Sequence, residues 1–367
     1  MHWMYAGFIA LVLILLALDL GVFHRTAHVV SVREALGWSA FWITLGLAFA
    51  VLIYFGYERH WLGLGLTPDL MTAAPQAAEG MGLVYNDGYS ATVKYVTGYL
   101  VEKSLAVDNI FVIAMLFGFF AVPAMYQHRV LFWGIVGALV MRGAMIAVGA
   151  QLIQRFTWII YVFGAFLIAT GIKMLLLKTE EVDPNRNLVV RLTRRLFPVS
   201  ERFHGQHFFV RAGSAASHEA ATPGAVMEVD RVVDTARAGT LLATPLFLAL
   251  VMVEFTDVIF AVDSIPAIFA ITGDPFLVFT SNVFAILGLR SLYFALAGML
   301  DRFRYLKVAL AFVLMVVGVK MMTHVWLKEL LGRHFNLYLL GVVLLILAGG
   351  VVVSLFSSRR RPDGPAA

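Results

Sequence analysis

The chain contains no cysteine, and only 14% of its 367 residues are Asp, Glu, Lys or Arg. The missing cysteine excludes disulfide bonds, thiolate metal sites and cysteine nucleophiles. The shortage of charge excludes an ordinary soluble globular protein, because such chains carry about 25% charged residues. The chain is also 60% hydrophobic, so much of its surface needs a partner other than water.

Hydrophobic runs of about 20 residues recur along nearly the whole chain, and this length spans a bilayer as an α-helix. The pattern predicts an all-α, polytopic membrane protein with about nine transmembrane helices. We place the predicted spans at residues 4–23, 38–57, 90–118, 129–152, 157–177, 243–271, 276–299, 304–323 and 335–356. The first run lacks a basic segment before it, which indicates a retained helix rather than a cleaved signal peptide.

Basic residues gather in alternate loops. The clusters are Arg25 with Arg33, the run from Lys178 to Arg195, the group Arg302, Arg304 and Lys307, and the run Arg359–Arg361. All of them fall on one side of the membrane if the N-terminus is outside and the C-terminus is cytoplasmic. The sequence therefore predicts a multi-pass protein of the inner (plasma) membrane with this orientation. The net charge of +5 reflects topology and predicts no nucleic-acid partner.

Two segments of three spans each repeat the same order of charged residues. The aligned pairs, at offsets of 147 to 155 residues, are Glu102 with Asp257, Asp108 with Asp263, Arg142 with Arg290, and Gly171–Met174 with Gly318–Met321. Because each segment has three spans, the two must insert with opposite orientation. Inverted repeats of this kind place a substrate site near the membrane midplane, where the halves meet.

The chain divides at these repeats and at its longest loop. The predicted parts are two N-terminal transmembrane helices (1–60), repeat 1 (88–177), a cytoplasmic loop (178–242), the inverted repeat 2 (243–323), and a last helix with a basic cytoplasmic tail (324–367). We interpret the loop as a mobile connection with one basic, amphipathic piece near Leu188–Phe197. That piece lies either on the anionic inner leaflet or in solvent as part of a linker.

Carboxylates inside the predicted spans carry the argument about function. A charged side chain near the bilayer centre costs roughly 2.5–3.5 kcal/mol, so repeated charges need a partner such as a bound cation. The predicted metal-ligating residues are Glu102, Asp108, Glu254, Asp257, Asp263, Asn109 and Ser264. Arg142 and Arg290 are predicted to balance two of the five negative charges, and the remainder suits one divalent cation.

All of these donor atoms are oxygen, and this selects the class of metal. Such oxygens suit manganese, magnesium and calcium, whereas zinc and copper favour imidazole or thiolate. The ten histidines lie at span ends or in loops, away from the predicted midplane site. We interpret the metal as a transported substrate, and no cofactor is predicted. Lys173 and Lys320 lie near span ends and are predicted to reach the membrane surface.

The six-residue spacing within each carboxylate pair poses a geometric question. On a continuous helix, residues six apart are turned by about 240°, so Glu102 and Asp108 would not share a face. Either the helices are broken within the pairs or each pair divides its roles. In the second repeat, Pro266 predicts a break just past Asp263, since proline cannot donate to the preceding turn.

Three stretches carry a resemblance to a known family. They are Ala17–Arg25, Glu102–Phe111 and Val253–Thr272. They resemble the TerC family of integral membrane proteins, which is named for tellurium resistance and includes manganese exporters. The resemblance implies a bacterial inner-membrane protein that moves manganese(II) or a related divalent cation, such as calcium, out of the cytoplasm. It also implies that the acidic residues of the three stretches, Asp19 among them, serve the metal site.

Export of a cation against an inside-negative potential needs energy. The chain has no Walker motif, so exchange for protons is expected, with sodium as the competing ion. The chain is expected not to be an enzyme, because the Gly-x-Gly-Asp motif of intramembrane aspartyl proteases is missing. Export of a small organic cation fits the carboxylate-rich spans less well. The main alternative is a non-transporting membrane component of tellurite or envelope-stress resistance.

Overall fold

A computed structural model describes residues 2–21, 31–67, 69, 85–156, 158–176, 188–218, 230–296, 306–331 and 335–359. The fold is helical, as the composition predicts. The helices are α1 (His2–Gly21), α2 (Val32–Glu58), α3 (Gly88–Phe119), α4 (Ala124–Arg155), α5 (Ile159–Leu176), α6 (Leu188–Leu196), α7 (Arg231–Thr235), α8 (Pro245–Phe269), α9 (Pro275–Leu287), α10 (Leu289–Leu296), α11 (Leu306–Leu331) and α12 (Phe335–Arg359). Two short strands, β1 (Phe209–Arg211) and β2 (Leu241–Ala243), pair antiparallel.

Side-chain caps begin three of the long helices. Ser31 accepts a hydrogen bond from the Glu34 N–H at the start of α2 (3.3 Å), and Asp87 accepts one from the Ser90 N–H at the start of α3 (2.7 Å). Asp274 does the same for α9, where Pro275 follows in the first helical position. These caps satisfy N–H groups that a helix leaves without an internal partner.

Each predicted span overlaps one helix of the described chain, except 276–299, which overlaps both α9 and α10. In this part of the chain, five helices (α2, α4, α5, α8 and α12) are long and apolar enough to cross a membrane. The bent pair α9 and α10 makes a sixth, and α1 and α11 contain shorter apolar helices. The protein is therefore a polytopic helical membrane protein, and the count of nine spans stays a prediction.

The carboxylate-bearing helices are continuous. Helix α3 runs through Glu102 and Asp108, and α8 runs through Asp257 and Asp263 as far as Phe269. The predicted break at Pro266 is therefore wrong. Because this proline lies in the last turn of α8, it removes one hydrogen bond without ending the helix. The break lies instead between α9 and α10, whose axes differ by 41°.

Corresponding helices of the two predicted repeats run antiparallel. Asn86, just before α3, donates to Asp274, just after α8 (3.3 Å). At the other end, Phe119 of α3 and Pro245 of α8 line one cavity of about 530 Å³. Helices α3 and α8 therefore point in opposite directions.

Helices α5 and α11 are also antiparallel and pack with their backbones close together. A Cβ atom on Gly164 would lie 3.1 Å from the Gly318 carbonyl oxygen, and one on Gly171 would lie 2.8 Å from the Ala311 carbonyl oxygen. Only residues with little or no side chain permit this approach. Buried side chains such as Leu167 extend the same interface into an apolar core.

Part of the segment predicted as a mobile loop is folded. We call residues 188–218 and 230–243 the connecting unit, which contains α6, α7 and the β1–β2 pair. The predicted amphipathic piece is confirmed as α6, where Val190 and Thr193 are buried while Leu192 and Leu196 are exposed. The interpretation as a mobile connection is wrong for these residues, because α6 packs on α8 and the strands enclose a small core.

Buried Asp230 holds the connecting unit together. Its Oδ1 accepts hydrogen bonds from the Val232 and Val233 N–H groups (both 3.1 Å), which caps α7. Its Oδ2 accepts from the Glu201 and Arg202 N–H groups (3.0 and 3.2 Å) and lies 3.2 Å from Nε2 of His204. One carboxylate thus joins the two halves of the unit.

Replacing Asp230 with alanine is expected to destabilise the connecting unit by about 3 kcal/mol, since it removes a helix cap and leaves buried N–H groups without acceptors. Hydrogen–deuterium exchange of the full chain in nanodiscs should then become about 100-fold faster in β1 and β2. Asp234→Ala is the matched control, because Asp234 is exposed on α7. Equal exchange in the two variants would contradict this role for Asp230.

Candidate cation site

A buried cluster of charges lies where α3, α4 and α8 meet. Arg142 of α4 is only 3% exposed and forms an ion pair with Glu102 of α3, which is fully buried. Its Nη2 donates to Oδ1 of Asp257 on α8 (3.0 Å), and its Nε donates to Oδ2 (3.3 Å). One guanidinium therefore bridges carboxylates from the two predicted repeats. All three residues lie near the midpoints of their helices.

Two neutral oxygens complete the surroundings of the guanidinium. Nη1 of Arg142 donates to Oγ of Ser264 (3.3 Å) and to Oδ1 of Asn282 (3.0 Å). Ser264 is a predicted ligand, whereas Asn282 on α9 is a residue that the sequence reasoning missed. Asn282 lies inside a predicted span and is fully buried, and a polar side chain at such a position was the available signal.

Helix geometry divides the roles of Asp257 and Asp263. Asp257 and Ser264 are seven residues apart and share the face of α8 that meets Arg142. Asp263 instead points toward α5, where it accepts a hydrogen bond from the Thr170 hydroxyl (3.3 Å). The sequence left two possibilities open for each pair, a broken helix or a division of roles. Helix α8 is continuous, and the two carboxylates of its pair have different partners. Thr170 is a second polar residue that the sequence reasoning missed.

Glu254 packs directly against α4 one turn away from Asp257. A Cβ atom at Gly137 would overlap both carboxylate oxygens of Glu254, so only glycine leaves room for this side chain. Glu254 is partly buried, with its carboxylate held between α4 and α8. The structure therefore places Glu254 beside the Glu102–Arg142–Asp257 cluster. Glu254 makes no direct contact with Arg142.

For four other predicted site residues, the structure gives a position on a helix. Asp108 lies in α3 and Asp19 lies in α1, and both side chains fall outside the described part of the chain. Asn109 is buried on α3, and Arg290 is buried on α10. Among the side chains that the structure describes, no group of three or more His, Asp or Glu is close enough to hold a metal ion.

The predicted charge count omitted Lys103. This residue follows Glu102 on α3 and donates from Nζ to the Ala285 carbonyl oxygen (3.1 Å) at the end of α9. A Cβ at Gly288 would lie 2.8 Å from the same Nζ. The lysine therefore occupies the bend between α9 and α10, where freed carbonyl groups accept its hydrogen bonds.

A second buried polar cluster, which the sequence reasoning missed, lies near the start of α3. Lys94 pairs with Asp69 (2.9 Å), which also accepts from the Thr272 hydroxyl (2.6 Å) and the Gly273 N–H (2.7 Å). Asn86 donates to both Asp69 and Asp274 (3.3 Å each). The cluster therefore ties the segment after α2 to the α8–α9 turn.

Burial alone would raise the pKa of Asp69, but the Lys94 ammonium and the hydrogen bonds from Thr272 and Gly273 outweigh it and lower the pKa to about 2. Stabilisation by this carboxylate is present above its unfolded pKa and is lost only as the pH falls through about 2. For Asp274, burial and the neighbouring charge of Asp69 raise the pKa. The Asp69 carboxylate is therefore charged at neutral pH.

The expectation for Lys320 is wrong. Its side chain is 3% exposed and donates to the Ala270 carbonyl oxygen at the end of α8, instead of reaching the membrane surface. The carbonyl groups at the C-terminal end of α8 have no partner within the helix, and the Lys320 ammonium supplies a donor to one of them. Its predicted counterpart Lys173 is exposed near the end of α5, and its reach to the membrane surface stays a prediction.

The apolar helices and the mid-helix charges define a polytopic membrane protein with a buried ionic centre. The chain belongs to the TerC family of integral membrane proteins, whose family model matches residues 88–362. This confirms the resemblance stated from the sequence. The match includes both predicted repeats and the connecting unit.

Relatives of known sequence cover nearly the whole chain. A membrane protein of Myxococcus xanthus, STKORF319, is 44% identical over 99% of this chain and 95% of its own length. Alx of Salmonella typhi and Alx of Escherichia coli K12 are 42% and 41% identical, each over 93% of both chains. Both Alx proteins are described as membrane-bound redox modulators. No solved structure matches the chain significantly.

Proposed function

We propose that this protein is a transporter that exports manganese(II), or a related hard divalent cation, from the cytoplasm. The observation that carries the proposal is the convergence of Glu102 from α3 and Asp257 from α8 on one buried point halfway along both helices. Ser264 adds a neutral oxygen at the same point. A buried carboxylate pair in a membrane protein is costly, and movement of a cation is the use that best accounts for it.

The proposal includes two inverted repeats of three spans. An offset of 147 residues relates Gly171 to Gly318. The same offset relates Gly164 to Ala311. The observed close approaches join Gly164 to Gly318 and Gly171 to Ala311, so the offset exchanges one contact for the other. Such an exchange is expected of a two-fold axis between inverted halves. The antiparallel course of α3 and α8 supports the same arrangement.

The donor set favours a hard metal. The proposed ligands are the carboxylates of Glu102, Asp108, Glu254, Asp257 and Asp263, with Asn109, Ser264 and Asp19 as further oxygen donors. Manganese(II), calcium and magnesium bind such oxygens, and we assign manganese as the first candidate from the family resemblance. The cation is the substrate of the protein.

Protons are the proposed counter-ion. When a divalent cation leaves the buried site, the carboxylates take up protons in its place, because unpaired buried charge is expensive. The proposed topology has nine spans in the inner membrane, with the N-terminus outside and the C-terminus in the cytoplasm. Collapse of the pH gradient in everted vesicles should then slow manganese uptake, whereas an unchanged rate would favour sodium.

A second candidate function is a non-transporting role in redox or envelope-stress resistance. The name of Alx favours it, since that relative is described as a redox modulator. This chain contains no cysteine, so its own side chains provide no thiol–disulfide chemistry. An influence on redox balance through the export of a metal is compatible with both observations. The transporter proposal therefore accounts for more of the buried charge.

Intracellular manganese tests the proposal. In cells grown with excess manganese, the native chain should lower the manganese content several-fold, while Asp108→Ala and Asp263→Ala should leave it near the level of cells without the protein. Asp234→Ala, in the exposed part of the connecting unit, is the control and should behave like the native chain. Equal manganese in all strains would refute export.

A further inference from the structure

We propose that the Arg142 guanidinium occupies the position of the transported cation and is displaced when that cation binds. This inference rests on the proposed function and assigns to Arg142 a part in the transport cycle. Sequence reasoning gave Arg142 only the role of balancing charge. The structure places it at the centre of the predicted ligands.

Arg142 contacts three of the predicted ligands. It pairs with Glu102, it donates to both carboxylate oxygens of Asp257, and it donates to the Ser264 hydroxyl. A divalent cation at metal–oxygen distances of about 2.0–2.6 Å needs the same lone pairs. The cation and the guanidinium also repel each other, so both cannot lie between the same two carboxylates.

Asn282 supplies a place to hold the arginine that is independent of the predicted ligands. Its Oδ1 accepts a hydrogen bond from Nη1 of Arg142 (3.0 Å), and it lies on α9 rather than on α3 or α8. This contact favours the state in which the guanidinium fills the site. Without Asn282, the guanidinium would leave the carboxylates more readily, and the cation would bind more tightly.

The Arg142 guanidinium acts both when the substrate leaves the site and when the substrate binds. When the substrate leaves, the single positive charge of Arg142 offsets one of the two negative charges of Glu102 and Asp257, and a proton taken up by the carboxylates offsets the other. When the substrate binds, it must first displace the arginine, so its apparent affinity falls by that cost. Weak binding of this kind allows the cation to be released on the far side.

Binding of manganese to the purified full-length chain in nanodiscs tests the inference, with free Mn²⁺ measured by electron paramagnetic resonance. Arg142→Gln should bind Mn²⁺ at least about tenfold more tightly than the native chain and should transport it more slowly. Arg142→Lys, which keeps the charge, should bind no more tightly than the native chain. Arg155→Gln, on an exposed position of the same helix, should match the native affinity.

Asn282→Ala gives a second test that leaves the charges unchanged. It should tighten Mn²⁺ binding about threefold to tenfold, the effect of one lost hydrogen bond. This result stands even if Arg142→Gln fails to fold. Native chain that binds Mn²⁺, together with unchanged or weaker binding by Asn282→Ala or a folded Arg142→Gln, would overturn the displacement of Arg142 while leaving export intact. If the native chain and both variants all fail to bind Mn²⁺, the proposed function itself is overturned.

Discussion

Asp257→Asn is expected to abolish manganese export and to destabilise the folded protein by about 1.5–3 kcal/mol. The amide keeps one oxygen that accepts from Arg142, but its NH2 group replaces the second acceptor, and Glu102 becomes the one remaining carboxylate partner of Arg142 among the described contacts. The loss of one charge-assisted hydrogen bond accounts for the destabilisation. Thermal unfolding of the purified chain and manganese efflux from cells measure the two effects separately.

The double variant Arg142→Gln with Asp257→Asn tests whether Asp257 acts on Arg142 or on the cation. It leaves the fully buried Glu102 carboxylate without its ion-pair partner, so the double variant should be less stable than Asp257→Asn alone. Export should remain absent, since the site has lost a carboxylate that we assign to the metal. If the double variant restored export, Asp257 would be a structural partner of Arg142 and no part of the cation site.

Gly137→Ala is expected to reduce export about 100-fold, because a Cβ at this position overlaps the Glu254 carboxylate and displaces it from the cation site by about an ångström. Manganese efflux from cells expressing equal amounts of each variant measures this loss. Gly143→Ala on the same helix is the control, since its Cβ would meet Phe279 at an ordinary contact distance of 3.4 Å. Equal activity of the two alanine variants would contradict a role for Glu254.

The sequence predicts the general architecture because membrane spans obey a simple rule. An apolar run of about 20 residues can satisfy its backbone only as a helix, so the helix positions follow from hydrophobic length. The basic, amphipathic piece at the start of the long loop is likewise recognisable and is confirmed as α6. The fold of the remaining connecting unit depends on Asp230, whose partners Glu201 and Arg202 are nearly thirty residues away. No local pattern reports such a contact.

The candidate site could be predicted in part for a similar reason. Glu102, Asp257 and Arg142 stand out as charges in apolar runs, and the structure brings all three together. The break expected at Pro266 was wrong because the effect of a proline depends on how much helix follows it, and only one turn follows here.

Other contributors have ordinary residue types and gain their roles from tertiary contacts. Gly137 makes room for Glu254, Thr170 donates to Asp263, and Lys103 fills the bend at the end of α9. The cluster around Asp69 joins residues about 200 positions apart, which a single sequence cannot reveal.

Flux into proteoliposomes tests the central claim most directly, because the purified chain is then the only protein present. Vesicles that contain the native chain and an internal manganese-sensitive dye should take up Mn²⁺ in response to an imposed pH gradient. Vesicles with Asp257→Asn should show only the leak of empty liposomes, and Asp234→Ala should match the native chain. Native-chain vesicles that take up Mn²⁺ no faster than empty liposomes, under either a proton or a sodium gradient, would contradict the proposal that this protein transports the cation.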